Sequence, residues 1–102
     1  MEEIKENEIL YTISASTSYK KDLKKHKKGG TKVLKLVEAL KILSEMGVEG
    51  IPSSMKPHKL IRKYKGSYEC HIEPDFLLIW YQDEDEKTIV LERLGSHSEL
   101  FG

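Results

Sequence analysis

The chain has 102 residues and a mass of 11.8 kDa, is 38% hydrophobic and 33% charged, and carries a formal net charge of zero. That length corresponds to one domain, residues 1–102, and the composition is too apolar for a disordered chain and too charged for a membrane protein. A single cysteine, Cys70, excludes an internal disulfide and a Cys-rich zinc site.

The overall neutrality hides a segregated charge. Residues 1–19, 20–65 and 66–102 carry net charges of −3, +10 and −7. A middle segment this basic can attract a polyanion, although a solvated lysine-rich helical face is the commoner meaning of such a composition. Lysines outnumber arginines fifteen to two. Lysine meets phosphate as a point charge, so any such attraction is to a backbone and does not select bases. The start, Met1 to Glu8, is acidic and polar and lacks the basic and apolar regions of a secretory signal. No apolar run approaches the roughly 18 residues of a membrane span. The expected compartment is the cytoplasm.

In chain order, Ile9 to Ile13 is β-rich and alternates, which predicts a strand with Ile9, Tyr11 and Ile13 on one face. Ser14 to Ser18 offers several N-caps for a helix from about Thr17 to Lys28, whose thin apolar stripe is Tyr19 and Leu23. Gly29-Gly30 stops it. Thr31 is then expected to cap a second helix, with Val33, Leu36, Val37, Leu40, Leu43 and Met46 at helical spacing and Gly47 as its end. So short a link predicts an antiparallel αα-hairpin. Residues 48–66, with Gly50, Pro52, Pro57 and Gly66, read as a long connection, and a loop of that length in a small domain favours function.

Three strand-like runs follow. Ser67 to Ile72 alternates, with Tyr68, Cys70 and Ile72 opposite Glu69 and His71. Phe76 to Tyr81 is continuously apolar, as in a central strand covered on both faces. Gln82 to Lys87 is a charged turn, Thr88 to Leu94 the last strand, and Ser96 to Gly102 a tail with room for one helical turn. The order is β-α-α-β-β-β. It predicts an α+β fold: an antiparallel sheet with the helix pair on one face and the other face open for a site.

Of four histidines, His26 lies in the lysine run and reads as a surface residue, while His58, His71 and His97 fall in the second half. Asp75 follows His71 by four residues, and Arg93 precedes His97 by four. Antiparallel strand ends can bring these together. Imidazoles exchange protons near neutral pH, and an arginine beside them supplies a permanent charge for a developing phosphorane or oxyanion. With no Ser-His-Asp elbow, the set suits phosphodiester chemistry better than peptide hydrolysis. Three such histidines are about as often plain surface or core residues. A zinc or nickel set of His58, His71, His97 and Asp75 is the lesser option, because no H-E-x-x-H-type spacing supports it. Cys70, alternating with Tyr68 and Ile72, reads as a small buried hydrophobe. Trp80 and Tyr81 read as core or sheet cover.

The stretch Tyr68-Glu69-Cys70-His71-Ile72-Glu73-Pro74-Asp75-Phe76-Leu77-Leu78-Ile79-Trp80 strongly resembles the E-C-H-I-x-P-D-x-L-L-I-Y signature of YafQ-like toxins, in the RelE/ParE superfamily of type II toxin–antitoxin systems. Leu91 to Phe101 resembles the family's R-x-G-[ST]-H-S-[ED]-L-F ending, and Pro57-His58-Lys59-Leu60 its upstream H-x-L element, with Lys65-Gly66 like its W/Y-K-G approach. The close match spans residues 56–101. The resemblance implies a RelE-like fold and a ribosome-dependent endoribonuclease of the cytoplasm that needs no metal or cofactor. Such an enzyme makes an RNA 2′-hydroxyl attack the adjacent phosphate of translated mRNA. The implied partners are a cognate antitoxin, the ribosomal A site and mRNA, with no membrane.

By the same resemblance the catalytic candidates are His58, His71, Asp75, Arg93 and His97, and the substrate-binding candidates are Phe101, Phe76 and Lys59. His97 and His71 lead as general acid and base, in either assignment. Asp75 would orient a histidine or move a proton, Arg93 would stabilise the transition state, and His58 would position phosphate or assist proton transfer. Phe101 would stack on a base. Many relatives carry tryptophan where this chain has Phe76; stacking survives that change and an indole hydrogen bond is lost. The first eight residues extend beyond the family's usual start, and Gly102 trails its terminal phenylalanine. The competing expectation is a binding module of the same fold that docks on antitoxin or ribosome without cleaving, since one fold hosts different activities.

Overall fold

The computed structural model describes residues 9–102, so the expectation drawn from Met1 to Glu8 lies outside the described residues. Strand β1 is Thr12–Ala15, helix α1 Thr17–His26 and helix α2 Thr31–Met46. Two 3-10 turns, Gly47–Gly50 and Ser53–Met55, lead into β2, His58–Lys59. Strands β3, Tyr68–Glu73, β4, Phe76–Asp83, and β5, Thr88–Gly95, precede the short helix α3, His97–Phe101. The sheet order is β1-β5-β4-β3-β2. The chain is thus α+β in the expected order, with a two-residue strand and two 3-10 turns inside the stretch read as a connection. β2 to β5 pair antiparallel, as short links require, while β1 runs parallel to β5 at the far edge.

The first strand begins later than its alternation suggested. The Leu10 and Tyr11 N–H groups both donate to the Ser44 carbonyl of α2, and the ladder starts only when Thr12 N–H reaches the Lys87 carbonyl. Ile9 is therefore 69% exposed, whereas Tyr11 is buried. Ser16 caps α1 by accepting the Tyr19 N–H at 3.0 Å, and α1 ends at His26, two residues early, where the Gly29 N–H bonds the His26 carbonyl. Thr31 is the first helical residue of α2 and caps nothing; the N-cap is Gly30. Gly47 ends α2 with φ +68°, and a Cβ there would lie 2.8 Å from the Tyr11 ring and the Gln82 amide, so only glycine fits. The face of α2 that meets the core is Leu36, Ala39 and Leu43; Val37 and Met46 of the expected stripe rotate out to solvent.

The faces of the sheet follow from alternation along β4. Phe76, Leu78 and Trp80 point toward the helices and join Tyr19, Leu36, Leu43, Cys70, Ile72, Ile89, Leu91 and Leu94 in the main core. Leu77 and Ile79 point the other way and are covered by Leu60, Tyr64, Leu100 and Phe101. β4 is thus buried on both faces, as its unbroken apolar run predicted. A bulge in β5 shifts the register, so that Trp80 faces Leu91 while Ile79 faces Arg93. Leu91 stays in the core and Arg93 turns to the opposite face, although the two are only two residues apart. β1 pairs only as far as Leu91, leaving the last part of the β5 edge unpaired. α1 covers that edge: Ser16 Oγ donates to the Glu92 carbonyl at 3.0 Å, and Asp22 accepts the Leu94 N–H at 2.9 Å.

Candidate active site

The sheet face away from the main core carries two rows of cross-strand neighbours. One row is His58, Glu69, Ile79 and Arg93, across β2, β3, β4 and β5. The next is His71, Leu77 and Gly95. Paired residues share a face, so His58, His71 and Arg93 project from one surface despite their distance in sequence. Gly95 leads directly into α3, which starts at His97 on the rim of that surface.

Each group is held by identifiable partners. His58 Nδ1 donates to the Lys56 carbonyl at 2.9 Å, made reachable by the left-handed backbone of Lys56, φ 52°. Its Nε2 lies 3.2 Å from Oε1 of Glu69. His71 Nδ1 donates to the Pro74 carbonyl at 3.3 Å, and its Nε2 lies 4.0 Å from the same Glu69 oxygen. Asp75, at the turn between β3 and β4, accepts the His97 backbone N–H at 2.8 Å and so ties that turn to the first residue of α3. The helix is also closed by a capping box between Ser96 and Glu99. Glu99 reaches Lys25 at 2.8 Å and His26 at 3.1 Å on α1. Lys25, the Ser96 N–H and His26 together hold the Glu99 carboxyl down at about 2.

Arg93 is held by three hydrogen bonds. Its Nε donates to Asp22 Oδ2 at 2.7 Å and its Nη2 to Asp22 Oδ1 at 3.2 Å, while Nη1 donates to the Tyr64 hydroxyl at 3.0 Å. The Asp22 bonds come first among the causes that raise its pKa, so the charge is permanent. Guanidinium has five N–H donors, and three are used here. Among the described residues the other two have no partner, which leaves them able to meet an anion. The Tyr64 hydroxyl itself donates to the Leu100 carbonyl at 3.1 Å, and its ring meets Phe101 edge-on at 5.6 Å. Phe101 in turn lies 5.0 Å from the His97 ring, one helical turn apart. A continuous chain of contacts therefore runs from Arg93 through Tyr64 and Phe101 to His97.

Three expectations need correction. Phe76 is only 1% exposed: it is a core residue beneath His26, whose ring crosses it at 5.2 Å, and offers no stacking surface. Lys59 pairs with Tyr68 and lies over that ring, so it points to the face opposite His58. His26 is no free surface residue, being wedged between Glu99 and Phe76. The zinc or nickel set, the lesser option above, is a separate matter: no group of three His, Cys, Asp or Glu among the described residues is arranged to hold a metal ion. Cys70 is fully buried, and burial followed by the nearby Glu69 charge pushes its thiol up to about 12, which rules out a thiolate nucleophile.

Sequence reasoning missed Asp22, Tyr64 and Glu69. Asp22 carried a signal, as the only acid among eight lysines between residues 20 and 35. Glu69 carried one too, sharing a strand face with His71. Tyr64, in a loop with φ +63°, carried only its place before Lys65-Gly66, as in the W/Y-K-G approach.

Comparison with known proteins places this arrangement. Residues 11–102 match the family profile described as a bacterial toxin of type II toxin–antitoxin system, YafQ. The mRNA interferase toxin YafQ of Escherichia coli K12 is 33% identical over 94 residues, covering 92% of this chain and 99% of that protein. Among solved structures, the E. coli DinJ–YafQ toxin–antitoxin complex superposes with a TM-score of 0.78 at 33% identity, covering 92% of this chain and all of that one. A metal-bound toxin from Helicobacter pylori superposes with a TM-score of 0.69 at 37% identity, covering 89% and 99%. With the profile extending over both the helical half and the site-bearing strands, the chain belongs to the YafQ family of bacterial toxins from type II toxin–antitoxin systems.

Proposed function

We propose that this chain is an mRNA interferase, a ribosome-dependent endoribonuclease of the cytoplasm that cuts messages as they are translated and is restrained by a cognate antitoxin. The observation that carries the reading is the gathering of His58, His71 and Arg93 on one sheet face with His97 at its rim. The E. coli relative that bears the name mRNA interferase toxin, and the solved complex of that toxin with DinJ, support the activity and the kind of partner.

In the proposed reaction an RNA 2′-oxygen forms a bond to the adjacent phosphorus, and the bond from phosphorus to the 5′-oxygen breaks. The products are a 2′,3′-cyclic phosphate and a 5′-hydroxyl. The two unused N–H donors of Arg93 face the charge that builds on the phosphoryl oxygens, where a fixed cation lowers the barrier most. His71 and His97 take the 2′-proton and return one to the leaving oxygen. His58 holds the phosphate. Asp75 acts by holding the first turn of α3, and hence His97, in place. Phe101 is the stacking platform. Exposed lysines of α1 and α2 draw the toxin to the RNA-rich surface of the ribosome.

Primer extension on cellular mRNA after induction of the chain tests this. Discrete new 5′ ends and growth arrest are expected, and both disappear with Arg93→Ala or His97→Ala in protein that remains folded. A binding module that does not cleave would arrest growth and leave the messages intact.

A further inference from the structure

On the nuclease reading above, which this deepens, we infer that Tyr64 is a positioning residue. Its hydroxyl ties the Arg93 guanidinium to the end of α3 and so fixes where Arg93 stands relative to His97.

Tyr64 sits where a tyrosine is out of place. Its φ of +63° is left-handed, a region that bulky residues seldom enter and that glycine occupies without strain. The loop around it is closed by backbone alone. The Leu60 N–H donates to the Ser67 carbonyl at 2.8 Å, the Gly66 N–H to the Leu60 carbonyl at 3.0 Å, and the Ser67 N–H to the Tyr64 carbonyl at 2.9 Å. These bonds need no side chain at position 64, so glycine would close the loop at less cost. Ile61, Arg62, Lys63 and Lys65 are exposed, whereas Tyr64 packs inward against Leu77, Ile79 and Leu100. Residues held in sparsely populated backbone regions gather at functional sites, where the surrounding structure keeps them.

What the tyrosine adds is its hydroxyl. A phenol has one hydrogen to give and can accept another bond. Tyr64 gives its hydrogen to the Leu100 carbonyl at 3.1 Å and accepts one from Arg93 Nη1 at 3.0 Å. Leu100 is the next-to-last residue of α3, and the last carbonyls of a helix have no partner within it. A helix of five residues does not hold itself. The capping box and Asp75 fix its first turn, and Tyr64 fixes its end. On the other partner, Asp22 holds Nε and Nη2 from α1, which leaves Nη1 to Tyr64. Among the described residues, Tyr64 is the only side chain hydrogen-bonded to both Arg93 and α3. A cation and a proton-transfer group that serve one phosphate must keep a set separation, and a small misplacement costs rate. Loss of the hydroxyl therefore acts on the chemical step more than on binding.

The full-length chain is compared with Tyr64→Phe, which keeps the ring beside Phe101 and removes only the hydroxyl. Amide hydrogen exchange at Leu100 and Gly102 is expected to speed up about tenfold, while Leu78 and Ile79 of β4 stay as protected as in the wild type. Unchanged exchange at Leu100 and Gly102 overturns the inference, and so does equal acceleration in β4, which marks a general loss of stability. In a translation reaction with defined mRNA, Tyr64→Phe is expected to lower kcat about tenfold with KM little changed. In an Arg93→Lys background, where the guanidinium is absent, the same change is expected to lower kcat by no more than about twofold. An unchanged kcat, a loss confined to KM, or the same fold loss in both backgrounds overturns it. Where Arg93→Lys is inactive, the exchange rates and the kcat of Tyr64→Phe decide. Should Tyr64→Phe fail to fold, nitrogen-15 NMR of the wild type decides: a guanidinium held in this way shows separate Nη1 and Nη2 signals, and one averaged signal overturns the inference. If the wild type leaves mRNA intact, the nuclease reading fails, while exchange at Leu100 and Gly102 still reports on Tyr64.

Discussion

Asp22 of α1 grips Arg93 of β5 through two hydrogen bonds, at 2.7 and 3.2 Å, and with the same carboxylate accepts the Leu94 N–H at 2.9 Å. One side chain thus seals the open edge of the sheet and aims a guanidinium. Stability and catalysis are joined at this point.

Asp22→Ala is expected to remove both functions. It strands the Leu94 N–H and loosens Arg93, at a cost of roughly 1–3 kcal/mol. Asp22→Asn retains an acceptor for one donor but loses the charge that orients the guanidinium. Its urea midpoint should lie between those of wild type and Asp22→Ala, and its cleavage rate should fall well below wild type. An unchanged rate in Asp22→Asn would show that Arg93 needs no such support.

Asp75 offers a sharper choice, because its carboxylate accepts a backbone N–H and nothing else in the described contacts. Asparagine can accept the same bond, whereas alanine cannot. Asp75→Asn should therefore keep most of the activity and Asp75→Ala should lose about tenfold or more, with a stability cost of about 1 kcal/mol. Equal and large losses of rate in both would point instead to proton transfer by the carboxyl group.

The two phenylalanines should separate by phenotype. Phe76→Ala empties a site in the main core and is expected to cost about 3–5 kcal/mol of stability, read by denaturant melting. Phe101→Ala removes a half-buried ring beside His97 and should weaken RNA engagement by about 1–3 kcal/mol, read as a rise in KM, while Phe101→Tyr retains the stacking face.

Acid should unfold the protein by way of two glutamates. Hydrogen bonds from Gln82, Lys87 and Tyr11 hold the Glu84 carboxyl at about 2, and Lys25 leads the groups that hold Glu99 at about 2. Each carboxyl is lower in the folded state than its ordinary value near 4.5, so the folded state favours the charged form. Their stabilisation is complete above that value and is lost as pH falls toward 2. Urea midpoints should drop steadily across that range, and Glu99→Gln should flatten the slope while lowering stability at neutral pH.

Local chemistry made much of this molecule legible in advance. Ser16 before a helical run, glycines after each long helix, and an apolar stretch from Phe76 to Trp80 each act over a few residues, so the two long helices, the longer strands and their order followed from the chain alone, while the two-residue strand His58–Lys59 did not. The histidine, aspartate and arginine candidates were also visible by residue type, but spacing alone left them even with plain surface or core residues, and the resemblance to YafQ-like toxins singled them out. Pairing decided the rest. By strict alternation Arg93 would share a face with Leu91 and lie in the core; a bulge spanning Leu91 to Arg93 turns it to the opposite surface. Burial made Phe76 core and left Phe101 half-open, although both are aromatic neighbours of candidate residues. Asp22, Tyr64 and Glu69 come to their partners across 71, 29 and 11 residues of chain. Periodicity extends over only a few residues, so contacts at that distance are set by register and edge coverage, which exist only once the strands have paired.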